Sequence, residues 1–159
     1  MNDARLKELA ASLRTSGFDA VILNPGPTLT YLTGLHFHLM ERPVVLFVAC
    51  EGEPVLVLPQ LELPKLDHLA FRVRPVAFGE TPADWGNAFR KAAEMLALNA
   101  KRIGVEPLRL RLLEFDHVKA GAPKAEFGRW PRSGGLAIEE GCSRDRADAP
   151  RRAHRARCA

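Results

Sequence analysis

The sequence has few cysteines and no long hydrophobic run, and each shortage excludes a class of protein. Only three of the 159 residues are cysteine, and no pair of them has the spacing of a disulfide framework or a zinc site. No apolar stretch approaches the roughly 20 residues that a membrane-spanning helix needs, and the chain opens with a polar, charged segment instead of a secretion leader. We therefore expect a cytoplasmic protein that makes no contact with a membrane.

The remaining composition is that of an ordinary globular chain. Apolar residues make up 47% of the sequence and charged residues 26%, which excludes fibrous and wholly disordered proteins, and the length suits one domain. The positive charge, however, is confined to the end of the chain. Residues 1–127 hold 15 Lys+Arg and 15 Asp+Glu, whereas residues 128–159 hold 8 Arg and 4 acids and so carry the whole net charge of +4.

The last 32 residues are rich in arginine, alanine and glycine and contain few large apolar side chains. Their only large apolar residues are Trp130, Leu136 and Ile138, too few to offset chain entropy, so we expect disorder over 128–159. The segment has no lysine, and its dominant residues have G- and C-rich codons, so we hypothesise a shifted reading frame from near Phe127. Alternatively, the arginines form an arm that binds nucleic acid without sequence specificity.

Hydrophobic spacing predicts alternating helices and strands before this segment. The predicted helices are 3–17, 27–34, 60–68, 81–98 and 108–119, and the predicted strands are 19–23, 43–50, 54–58, 71–78 and 102–105. The three residues at 51–53 have the length and the glycine of a hairpin loop, so the strands they join should pair antiparallel. The pattern predicts one α/β domain at residues 1–127, with a mixed β-sheet, one antiparallel hairpin and helices on the faces of the sheet.

Several short motifs follow one another in a particular order along residues 4–127. They are the LxxLAASL spacing of the first helix, Gly-Phe-Asp-Ala at 17–20, Tyr-Leu-Thr-Gly at 31–34, Gly-Glu-Pro at 52–54, and a strand ending in Pro59 with Glu62 nearby. In order and spacing they resemble the N-terminal domain of the creatinase/prolidase/aminopeptidase P family, the Xaa-Pro peptidases. The resemblance implies the ribonuclease H-like fold of that domain.

The resemblance also implies that catalysis belongs elsewhere. In the family, a second, pita-bread domain holds two divalent metal ions with two Asp, one His and two Glu, and the metals activate water for hydrolysis of Xaa-Pro and related bonds. No residue of this chain can be matched to those ligands, so we expect a truncated, non-catalytic domain without a cofactor of its own. By resemblance it forms a homodimer or joins a catalytic domain, and it shapes the entrance for a peptide substrate. The alternative is a stand-alone binding or assembly module of the same fold.

The most chemically loaded stretch is 34–42, which contains His36, His38, Glu41 and Arg42. The family places this loop near the active-site entrance, so the resemblance implies that these four residues meet the substrate. There His38 or Arg42 could bind a peptide carboxylate. Two alternatives stay open. The two histidines could chelate a transition metal, although no third ligand is identified, or Arg42 could simply pair with Glu41 or another surface acid. We assign no catalytic and no metal-binding residue.

We expect two further side chains of reactive types, Tyr31 and Cys50, to be packed and not catalytic. Tyr31 is the sole tyrosine and lies on a predicted short helix, so we expect a packed ring rather than a catalytic acid. Cys50 ends an apolar run and has no identifiable base beside it, which favours a small buried residue over a reactive thiol.

Overall fold

Residues 2–67, 69 and 71–130 are described by the structure, which is a computed structural model. The α-helices in these ranges are α1 (Asn2–Thr15), α2 (Pro27–Thr33), α3 (Trp85–Met95) and α4 (Leu112–Gly121). The strands are β1 (Ala20–Leu23), β2 (Val45–Ala49), β3 (Val55–Pro59), β4 (Arg74–Phe78), β5 (Arg102–Val105) and β6 (Glu126–Arg129). Two 3₁₀ helices, Gln60–Leu66 and Pro82–Asp84, complete the domain. None of the helices in the described ranges combines the length and the apolar character needed to cross a membrane.

The strands form one mixed sheet in the order β4-β3-β2-β1-β5-β6. The strand β2 pairs antiparallel with both β1 and β3, and the other three pairings are parallel. The predicted mixed sheet with an antiparallel hairpin is therefore confirmed. Since only β2 runs against the others, the remaining five strands end at one edge of the sheet. We call this the carboxyl edge.

The two faces of the sheet each carry a hydrophobic core. Successive strand residues point to opposite faces, so Ile22 packs into the core that includes Phe89 of α3. Its neighbour Val21 packs into the other core, with Leu9 of α1 and Leu29 of α2. All five residues are fully buried. This two-sided burial explains why the central strands are nearly continuous apolar runs.

The prediction for the fourth α-helix is wrong at its start. The sequence predicts a helix over 108–119, but α4 begins at Leu112. After β5 the chain instead makes a turn in which the N–H of Leu110 donates to the carbonyl of Glu106 over 2.9 Å. Leu108 is 91% exposed, so it does not contribute to a buried helical face. The predicted strand 71–78 is also too long, because β4 begins at Arg74.

The last strand, β6, has no counterpart in the predicted pattern. It pairs parallel with β5, and Trp130, the next residue, is only 5% exposed. Trp130 lies over Gly104, where a Cβ atom would come within 2.8 Å of the tryptophan Cβ. The predicted domain boundary at residue 127 thus falls inside a strand. The predicted disorder over 128–159 is wrong for residues 128–130, because they complete β6 or are buried beside it. The rest of that prediction and the arginine-rich arm lie outside the described residues.

Candidate functional site

The four candidate residues lie on one loop at the carboxyl edge of the sheet. This loop, residues 35–44, connects α2 to β2, and we call it the edge loop. It begins where Gly34 ends α2 in the left-handed conformation, with φ at 76° and its N–H donating to the carbonyl of Thr30. Glycine adopts this conformation without steric cost, which explains its place in the Tyr-Leu-Thr-Gly motif.

A groove of about 780 Å³ runs beside the edge loop. Edge-loop residues 37–42 and 44 line one side, and the end of β3 with the following 3₁₀ helix lines the other. The groove brings His38, Glu41 and Arg42 together, but His36 is not among its lining residues. Its rim is apolar and exposed at Leu39 and Met40, so the groove combines ionisable groups with accessible hydrophobic surface.

The Arg42 guanidinium is already paired with an acid. It donates to the Glu80 carboxylate, which follows β4 at the same edge. The acid is thus Glu80 and not the adjacent Glu41. Both side chains are largely exposed, at 39% and 71%, so the pair contributes little to stability. The contact uses one of the five N–H donors of the guanidinium, so a second carboxylate has donors available beside Glu80 as well as in its place.

The described residues do not fit a metal centre. His38 lines the groove and His36 does not, and the backbone carbonyl of His36 accepts a hydrogen bond from Lys65 over 3.3 Å. Within the part of the chain that the structure describes, no three His, Cys, Asp or Glu side chains are grouped to hold an ion. The described residues therefore supply neither a third ligand for the two histidines nor the five ligands of the family's bimetal centre.

Arg111 is a groove residue that the sequence analysis missed. It precedes α4, and its Nε donates to both carboxylate oxygens of Glu114, over 2.8 and 3.0 Å. Its Nη2 donates to the same carboxylate, while its Nη1 donates to the carbonyl of Met40 in the edge loop over 2.7 Å. Glu114 is fully buried. The Arg-x-x-Glu spacing at the start of α4 was the available signal, since residues three apart on a helix can pair.

Tyr31 and Cys50 both take part in packing. The Arg5 guanidinium lies 4.2 Å from the centroid of the Tyr31 ring, and Arg5 also donates to the Tyr31 carbonyl over 2.6 Å. Cys50 lies at the opposite edge of the sheet, where its Sγ donates to the carbonyl of Phe18 over 3.3 Å. Burial raises the pKa of the Cys50 thiol, and the nearby Arg14 opposes the rise more weakly.

We expect the Cys50 thiol to react slowly with iodoacetamide in the folded protein. Because its pKa is raised, less of the reactive thiolate forms at a given pH than in the unfolded chain. The pH–rate profile of the folded protein should therefore have its midpoint at a higher pH than the profile in urea. Mass spectrometry of the Cys50 peptide separates this residue from Cys142 and Cys158. A midpoint at or below that of the unfolded chain would contradict the assignment.

Comparison with protein families gives one match that covers most of the chain. The model described as the creatinase/prolidase N-terminal domain matches residues 5–130. A search of curated proteins finds no significant match.

Solved structures resemble the fold over about four-fifths of the chain. A proline dipeptidase from Streptococcus pneumoniae is 28% identical, with a TM-score of 0.66, and the match covers 79% of this chain and 90% of that one. The creatinase/prolidase N-terminal domain of an X-Pro dipeptidase from Streptococcus pyogenes is 25% identical, with a TM-score of 0.67 and coverage of 79% and 92%. A dipeptidase from Pyrococcus horikoshii is also 25% identical, with a TM-score of 0.67 over 81% of this chain. The match spans only 34% of the Pyrococcus chain.

Proposed function

Because this chain belongs to the creatinase/prolidase N-terminal domain family, we propose that it is the non-catalytic, entrance-forming domain of an Xaa-Pro-peptidase-like metallohydrolase. Two similar structures are described as a proline dipeptidase and as a domain of an X-Pro dipeptidase, which supports an Xaa-Pro peptide as substrate. The match covers only 34% of the Pyrococcus dipeptidase, which supports the placing of hydrolysis in a part of such enzymes that has no counterpart in residues 5–130.

The observation that carries this proposal is the composition of the carboxyl edge. Its groove holds His38, Glu41 and Arg42 next to an apolar rim, all on one loop. The chain also leaves the sheet at this edge, since β6 runs parallel to β5 and Trp130 follows it directly. A domain joined after Trp130 would therefore start from the edge that carries the groove.

Each of the four candidate residues of the edge loop has a role in this proposal. Arg42 binds the carboxylate of the peptide in place of Glu80. Loss of the Glu80 contact costs little because that ion pair is exposed, whereas the contact with a bound carboxylate is a charged hydrogen bond of the stronger kind. His38 donates a second hydrogen bond to the same carboxylate, and Glu41 accepts from the peptide's amino group. His36 supports the loop through its backbone carbonyl. These residues select and orient the substrate, and they do not take part in bond cleavage.

We extend the proposal to assembly, as a homodimer or with a catalytic domain, in the cytoplasm. The large apolar side chains that the structure leaves exposed among its described residues all follow strands that end at the carboxyl edge. They are Leu39, Met40, Leu61, Leu108, Leu112 and Leu113. Their position at one edge supports an interaction surface there.

A domain exchange tests the proposed function. Residues 5–130 replace the matched third of the Pyrococcus dipeptidase, and dipeptide hydrolysis, including that of Xaa-Pro dipeptides, is compared with that of the isolated chain. We expect hydrolysis by the chimera and none by the isolated chain, with or without added Mn²⁺. Hydrolysis by the isolated chain would overturn the non-catalytic assignment. Full activity from adding the separate remainder of the dipeptidase would favour a stand-alone module that assembles in trans.

A further inference from the structure

Two cations hold the edge loop by its backbone carbonyls, from opposite sides. Lys65 reaches the carbonyl of His36 from the 3₁₀ helix that follows β3, over 3.3 Å. Arg111 reaches the carbonyl of Met40 from the start of α4, over 2.7 Å. Each cation is also paired with an acid three residues away in its own helical segment. The backbone of the loop thus contacts two ion pairs that lie in other elements.

The two ion pairs differ in burial. Lys65 and its acid Glu62 are 43% and 25% exposed, so solvent screens their interaction. Glu114 has no exposed surface, and Arg111 is 30% exposed. A buried carboxylate without its partner is strongly unfavourable, so Glu114 holds the guanidinium firmly. Of the two, the contact from Arg111 should therefore order the loop more strongly.

The guanidinium of Arg111 connects the buried Glu114 to the edge loop. Its Nε and Nη2 both donate to Glu114, which fixes the plane of the group and the direction of Nη1. That direction leads to the carbonyl of Met40. The side chains of Leu39 and Met40 are nevertheless 49% and 66% exposed, so little packing holds this part of the loop.

We propose that Arg111, oriented by the buried Glu114, is the positioning residue that fixes the exposed tip of the edge loop, Leu39–Met40, beside the groove. The structural role of Arg111 does not depend on the proposed function. Only the use of that role, to preorganise the rim that the substrate meets, rests on it. Arg111 lines the groove, but the role assigned to it is to hold the Met40 carbonyl, and neither Arg111 nor Glu114 is assigned a contact with the substrate. A loop held in one conformation does not have to be ordered when the substrate binds.

The test is a double variant, Arg111→Met with Glu114→Leu, in the full chain. Replacing both members of a buried ion pair with apolar residues is often neutral or stabilising, so we expect the fold to be retained. Backbone amide order parameters from NMR relaxation should be about 0.85 for residues 38–42 in the parent and should fall below about 0.6 in the variant, the range of flexible backbone. The order parameters of the strands should not change.

Lys65→Met is the matched control, since it removes the exposed contact to the same loop. It should leave the order parameters of 38–42 near the parent values. If the double variant does not fold, Arg111→Lys replaces it, because a lysine keeps the charge but lacks the fork that spans Glu114 and Met40. In either folded variant, a fall in the order parameters that is confined to the edge loop supports the proposal. Parent-like values at 38–42, or an equal fall throughout the domain, overturn it.

This test and the test of the proposed function can fail separately. If the loop loosens but the chimera hydrolyses no dipeptide, the positioning by Arg111 stands and the entrance role is rejected. If the chimera is active but the loop of the double variant stays rigid, the entrance role stands and Arg111 is not its positioning residue.

Discussion

A Trp130→Ala variant is expected to lose about 3–5 kcal/mol of the free energy of unfolding, the usual effect of removing a large buried aromatic side chain. Trp130 is 5% exposed and belongs to the core between the sheet and helices α1 and α2. Its backbone N–H donates to the carbonyl of Val105 over 3.0 Å, which continues the pairing of β6 with β5 and is kept in the alanine variant. The total stability of a domain is commonly about 5–15 kcal/mol, so the loss would be a large fraction of it.

Urea denaturation of the full chain measures this loss. Leu108→Ala is the matched control, because it also shortens a large apolar side chain but at a position that is 91% exposed. It should change stability by no more than about 0.5 kcal/mol. If Trp130→Ala were as mild as this control, the folded body would end before Trp130, close to the boundary that the charge distribution predicts.

The second large effect concerns the groove. In the chimera, Arg42→Ala should raise the KM for an Xaa-Pro dipeptide by about tenfold to a hundredfold, the scale of a lost charged hydrogen bond. The kcat should stay close to that of the parent, since Arg42 does not act on the scissile bond. Glu80→Gln should lower the KM, because it removes the carboxylate that competes with the substrate for the guanidinium.

Arg72→Ala is the control for this pair of variants. Arg72 is 92% exposed and pairs with Glu53 in the hairpin loop, at the edge of the sheet opposite the groove. Its replacement should leave both kinetic constants unchanged. A fall in kcat without a change in KM for Arg42→Ala would place Arg42 in the chemistry of cleavage. Equal KM values for all three variants would remove Arg42 from the entrance.

Local patterns in the sequence predict the centre of the fold well. The apolar runs on either side of Gly52 form the antiparallel pair β2 and β3, and Val45 lies opposite Val57. Gly34 ends α2 as the motif predicts. In these segments, turn chemistry and apolar periodicity both favour the observed structure, so little depends on distant contacts.

The misses occur where tertiary contacts decide the local structure. Strand β6 has only four residues, Glu126–Arg129, and they carry two charges and one glycine, so no apolar alternation marks it. Its order comes from the pairing with β5 and from the burial of Trp130 beside it. Leu108, Leu110 and Leu112 alternate as in a strand, while Leu108, Leu112 and Phe115 fit the helix that we predict. The observed structure is a turn at 107–109, with the helix starting only at Leu112.

The site shows the same limit. The motif and the ionisable residues of 34–42 predict a functional loop, and the groove brings three of the four candidates together. The partners of that loop could not be predicted, because Glu80 is 38 residues from Arg42 and Arg111 is 71 residues from Met40. Glu80 reaches the carboxyl edge because β4 pairs parallel with β3, and Arg111 reaches it because β5 pairs parallel with β1.

The central claim, that the carboxyl edge faces the substrate, is tested most directly by photo-crosslinking. An Xaa-Pro dipeptide that carries a diazirine on its first side chain is bound to the chimera in the presence of a metal chelator, which stops hydrolysis. The complex is irradiated, and the crosslinked residues are mapped by mass spectrometry. We predict crosslinks within residues 37–42 or at Leu61 and Glu62, and their loss when excess unlabelled dipeptide is present. Crosslinks confined to the opposite edge, around Arg14, Cys50 and Lys101, or none within residues 5–130, would contradict the account.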